Sequence, residues 1–61
     1  DLLLSKFVDK YLNTLSKDQL YDLFDFLNLE DEIIYSFYFN KMNHEKIKET
    51  SIKLLFSKFK L

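Results

Sequence analysis

The chain has no glycine, no proline, no cysteine and no tryptophan among its 61 residues. It also lacks alanine and arginine, and all nine of its basic residues are lysine. At ordinary usage of roughly 7% Gly and 5% Pro, about seven such residues would be expected. Their absence excludes whole classes of chemistry. A phosphate-cradling loop and a dinucleotide-binding fingerprint both need backbone that only glycine supplies. The two-residue hairpin turns of an all-β fold need it too. Without cysteine there is no disulfide framework, zinc knuckle or thiolate nucleophile. The single histidine, His44, makes neither a His-based metal cage nor a redundant Ser/His/Asp relay.

What the chain has is apolar material, 48% of its residues, including seven Phe and four Tyr. That is what a domain this small needs, because about 40% of its unfolded surface stays exposed even when folded. No apolar run approaches the roughly 18 residues of a membrane span. The chain does not begin with Met, and the expectation is a fragment, a processed product or the ordered part of a longer protein. The net charge of −1 conceals a segregation: residues 1–38 carry eight acids and three lysines, residues 39–61 two acids and six lysines.

The apolar spacing predicts an all-α fold, a bundle of four short helices in one domain spanning 1–61. Leu4, Phe7, Val8, Tyr11 and Leu12 recur at helical spacing, giving a first helix over about 2–14. Leu2 and Leu3 fall outside that stripe, as a frayed end, a contact with upstream chain or a partner-binding spot. Ser16 and Gln19 have the spacing of a capping box, flanked by Leu15 and Leu20 as a hydrophobic staple. They open a second helix over about 17–28 that buries Leu20, Leu23, Phe24 and Leu27. Asp31 is the expected N-cap of a third helix over about 32–41, apolar nearly all round. Asn43 is the expected cap of a fourth over about 44–60. There Lys46, Lys53 and Lys60 share one stripe, while Ile47, Ile52, Leu54, Leu55, Phe56 and Phe59 spread over more than half the circumference. Four helices of this size leave that surface under-covered, so an upstream helix or a partner is expected to complete it.

None of these constellations builds a reaction centre. Asp18, Asp22 and Asp25 form an acidic stripe opposite the expected apolar face, where solvation argues against the raised pKa that general acid–base work needs. It reads as a solvated face or a docking surface for a basic partner. Glu30, Asp31 and Glu32 lack the alternation and turn glycine of a calcium loop. His44 has no second ligand on its face and reads as an exposed helix-start residue. The lysine stripe could meet phosphate, but two acids interrupt its helix and arginine is missing. The reading is no enzyme, no cofactor, no metal, no nucleic acid and no membrane span. A helical domain that works by binding another protein remains.

The register of these signals resembles a known family. Asp1-Leu2-Leu3-Leu4-Ser5-Lys6-Phe7, then Lys10-Tyr11-Leu12, Leu15-Ser16, Gln19-Leu20, Leu27, Asp31, Ile34-Tyr35 and Phe37 are similar to the succinate dehydrogenase assembly factor 2 (SdhE) flavinylation-factor family, over about residues 1–38 without gaps. The departures are Phe37 where the family has Trp, Glu32 where Pro is frequent, and no glycine after the third helix. The hallmark Arg-Gly-x-x-Glu would lie upstream of Asp1. The resemblance implies a five-helix bundle whose first helix is missing here. It implies a chaperone that binds the flavoprotein subunit of succinate dehydrogenase (complex II) and promotes its covalent attachment of FAD. The FAD belongs to that partner. It implies the mitochondrial matrix, or alternatively a bacterial cytoplasm. Alternative functions are a structural accessory subunit of a larger complex, and a helical nucleic-acid-binding domain. The residues expected to meet the partner are Asp1, Leu2, Leu3, Asp18, Asp22, Asp25 and Phe37. Of these, only Asp1 carries over from the family's functional motif.

Overall fold

The computed structural model describes residues 2–61, so Asp1 lies outside the described residues. Four helices and no strand are present among them: α1 (Leu2–Tyr11), α2 (Lys17–Leu27), α3 (Asp31–Asn40) and α4 (Ser51–Lys58). The all-α expectation holds, and it follows from local chemistry at the best-capped start. The Ser16 hydroxyl accepts the Gln19 amide at 3.2 Å, and the Gln19 side chain accepts the Ser16 amide at 2.9 Å. Both halves of the capping box are therefore closed.

Ten residues make the core, and all are apolar: Leu3, Phe7, Leu23, Phe26, Ile33, Ile34, Ile47, Ile52, Phe56 and Phe59. No polar or charged residue is buried among the described residues. Phe56 is the hub. It meets Phe7 of α1 edge-on at 5.0 Å, Phe26 of α2 at 5.0 Å and Tyr38 of α3 at 5.1 Å between ring centroids. Each other helix thus brings a ring against one ring of α4, and these three lie in the tilted and edge-on arrangements that aromatic quadrupoles favour. Helix α4 packs against α2 and α3. Tyr38 also fixes the chain end, its hydroxyl donating to the Phe59 carbonyl at 2.7 Å.

The structure corrects several boundaries and faces. The fourth helix starts at Ser51, not near residue 44, and its cap is Thr50, whose Oγ1 accepts the Lys53 amide at 3.3 Å. Asn43 caps nothing. Residues 43–50 hold a single apolar side chain, Ile47, and a helix there would have no face to bury. Instead the segment loops back, and Ile47 enters the core from the loop at 3% exposure. That loop, with Ile52, Phe56 and Phe59 inward, largely covers the apolar surface expected to need another helix, leaving Leu54 55% exposed. Lys46 and Lys60 fall outside α4, so the lysine stripe does not exist as a helix face.

Asp31 is the first residue of α3 and not its N-cap. Glu30 holds the cap position without a side-chain hydrogen bond. Asp31 and Glu32 in the first turn still complement the helix dipole. On α2 the buried aromatic is Phe26, while Phe24 is 52% exposed. The two lie about 200° apart on the wheel, and the Phe56 hub, distant in sequence, decides between them. Leu3, expected at the edge of α1, is buried in the core. Lys41 ends α3 at φ 56, the one positive φ among the described residues. It takes the left-handed conformation for which glycine is suited, just where the family resemblance leads one to look for glycine.

Candidate partner-binding surface

The residues expected to meet a partner are scattered by the fold. Leu2 is exposed at the start of α1, but Leu3 beside it is core and unavailable to a partner. Asp18 is exposed at the first turn of α2. Asp22 and Asp25, expected on a face turned away from the rest of the molecule, instead line a cleft of about 240 Å³ between α2 and the 46–50 segment. Lys46 and Lys48 form its other wall, and Lys48 donates to Asp25 at 3.0 Å. The stripe is therefore partly satisfied from within, and only Asp18 stands clear of that cleft. Phe37 is half-buried. Its ring stacks on Phe56 at 6.2 Å and 16°, and the Lys53 ammonium lies 5.8 Å from its centroid. Phe37 works inward, extending the core.

The fold presents a different surface that the single-residue reading missed. Tyr35, Phe39 and Met42 recur at helical spacing along the outer side of α3 and just past its end. Phe39 is 61% exposed and Met42 60%. The Phe39 ring is held by Tyr38 edge-on at 5.0 Å and by Tyr35 at 6.2 Å, so it is exposed yet positioned. The signal was in the sequence: a helix apolar nearly all round has more apolar surface than one core face uses. Aromatic and methionine side chains presented this way are the usual anchors of protein interfaces, and contiguous exposed apolar surface marks contact sites.

A cleft of about 450 Å³ borders the ridge. Met42 is common to both, and Glu30, Glu32, Ile33, His44 and Glu45 are among the residues that line it. His44, expected as an exposed helix-start residue, is half-buried here in the loop. Its Nδ1 accepts the Lys46 amide at 3.1 Å, which closes a tight turn ahead of Ile47. Lys46 reaches Glu30 at 3.4 Å, tying the loop to the start of α3. No group of three or more His, Cys, Asp or Glu side chains is placed to hold a metal among the described residues. No helix of the described residues is long and apolar enough to cross a membrane. The arrangement offers shape, apolar area and charge, which are the means of recognition.

A second exposed pair, Tyr21 and Phe24, lies three residues apart on the outer side of α2.

Comparison with known proteins finds neither a curated protein nor a solved structure that matches. A family model does match, described as the flavinator of succinate dehydrogenase, and it runs over residues 1–60, through all four helices and the 41–50 loop; the chain belongs to that family.

Proposed function

We propose that this chain is an assembly factor that binds the flavoprotein subunit of succinate dehydrogenase and promotes its covalent attachment of FAD. The observation that carries the reading is the family match along residues 1–60. The ridge of Tyr35, Phe39 and Met42 supports it, since it supplies an apolar anchor on a rigid helix.

In this reading the chemistry belongs to the partner. FAD and the histidine that receives it are the flavoprotein's, and this chain binds no cofactor itself. Its contribution is differential binding. A factor that prefers the attachment-competent state of the flavoprotein about 100-fold shifts that equilibrium by about 2.7 kcal/mol. The proposed compartment is the mitochondrial matrix, a reading that rests on the wording of the Asp1–Phe7 opening and of Lys10-Tyr11-Leu12.

Purified chain and purified flavoprotein subunit test the binding step by co-elution and calorimetry. The expected result is a complex with the wild-type chain and a much weaker one with Phe39→Ser/Met42→Ser. Absence of any complex with the wild-type chain would contradict the proposal.

A further inference from the structure

The charge segregation of the sequence acquires a spatial meaning in the fold. Three of the nine lysines are consumed by ion pairs: Lys46 with Glu30, Lys48 with Asp25, and Lys53 with Glu49. Those pairs tie the 46–53 segment to α2, to α3 and to itself. Of the six other lysines, four lie on α1 and at the chain end. Lys10 projects from α1 over two rings, 5.4 Å from the Tyr11 centroid and 5.8 Å from that of Phe59. Lys58 and Lys60 flank Phe59 in the chain, and Phe59 packs on Phe7 of α1 at 5.4 Å. Lys6 lies one turn before Lys10 on the same side of α1. Four lysines are therefore gathered where α1 meets the chain end, with Asp9 the one carboxylate on α1 among the described residues. None of the four has an ion-pair partner among the described residues.

We propose that this face, Lys6, Lys10, Lys58 and Lys60, docks an acidic segment of the flavoprotein subunit, an assignment that rests on the proposed function for the identity of the partner. Lys10 is pre-set for the role. Its ammonium is already held beside the Tyr11 and Phe59 rings, so less side-chain freedom is lost when it meets a carboxylate there. Exposed Leu54 stands one turn before Lys58, and exposed Leu61 follows Lys60. The segment that fits carries carboxylates with an apolar side chain among them. A protein surface suits this face better than nucleic acid. Phe59 is buried and the Lys10 ammonium lies beside the Tyr11 ring, which leaves little open ring for a base to stack on, and no arginine is present to fork onto phosphate.

The test measures the affinity of the purified chain for the purified flavoprotein subunit at low and high salt. Lys58→Glu/Lys60→Glu reverses the proposed face, and Lys17→Glu/Lys48→Glu makes the same change in net charge elsewhere. Lys10 is left in place because its ring contacts support the fold, and circular dichroism verifies that each variant is folded. The expected result is a loss of about tenfold or more for Lys58→Glu/Lys60→Glu at low salt with a flatter salt dependence, and a change within about twofold for the control pair. Equal losses in both pairs, or no loss in the first, would overturn the assignment while leaving the proposed function intact. The same reversal abolishing sedimentation with vesicles of mixed neutral and anionic phospholipid, with flavoprotein affinity unchanged, would give the face to lipid and overturn it as well. A wild-type chain that binds no flavoprotein would contradict the proposed function itself.

Discussion

Gln19 and Ser51 are joined across the bundle: the Gln19 side-chain amide donates to the Ser51 hydroxyl at 3.0 Å. The same side chain accepts the Ser16 amide at its other end, so one residue closes the cap of α2 and holds the first residue of α4. The start of α4 is thereby referenced to the start of α2. Gln19→Ala should lose both interactions and cost about 1–2 kcal/mol, while Ser51→Ala loses one and should cost about 0.5–1 kcal/mol. Urea unfolding of the two variants measures the difference. Equal costs would show that the bond across the bundle carries the whole effect.

Lys41 adopts a left-handed conformation at the end of α3, where its Cβ is unfavourable. Lys41→Gly should raise stability by about 1 kcal/mol, which in a chain this size moves the melting temperature up by about 4–8 °C. A fall in melting temperature would mean that the turn is not built as described.

The 41–50 segment supplies a sharper contrast. Ile47→Ala should cost about 2–5 kcal/mol because it empties a core position. Leu54→Ala, at an exposed position, should stay within about 0.5 kcal/mol. Thr50→Ala should cost about 1 kcal/mol and Asn43→Ala almost nothing, since only Thr50 caps a helix. A helix running from residue 44 would reverse the order of the two cap variants.

The ridge on α3 separates binding from folding. Phe39→Ser and Met42→Ser should leave the melting temperature within a few degrees, because both side chains are exposed. Together they should weaken the flavoprotein complex by about 30-fold or more, the loss typical of central anchors. Calorimetric titration reads the affinity directly.

How much of this was legible in the sequence depends on the range of the interaction. The Ser16–Gln19 box is closed by residues three apart, and it reads correctly without any fold. The start of α4 is not legible locally because Asn43 is as good a cap by type as Thr50. What separates them is Ile47, which reaches the core only when the segment before it is a loop. Phe24 and Phe26 both fit a helix, and the choice between them is made by Phe56, thirty residues away. The resemblance of the opening to the flavinylation factors stopped near residue 38, and the family match carries through the last helix. The candidate binding surface is the least legible. Helix spacing points to Asp25 and the family resemblance to Phe37, but Asp25 pairs with Lys48 and Phe37 meets Lys53 and Phe56, which no local pattern reveals. Phe39 and Met42 were visible only as surplus apolar area on α3.

The central claim is that this chain promotes flavin attachment by binding the flavoprotein subunit. It is tested most directly by incubating purified flavoprotein subunit with FAD and measuring covalent flavin by fluorescence in denaturing gels. The reaction is run without the chain, with the wild-type chain and with Phe39→Ser/Met42→Ser. The account requires a clear rise in covalent flavin with the wild-type chain and a level near background with the ridge variant. Covalent flavin that is the same with and without the wild-type chain would contradict it.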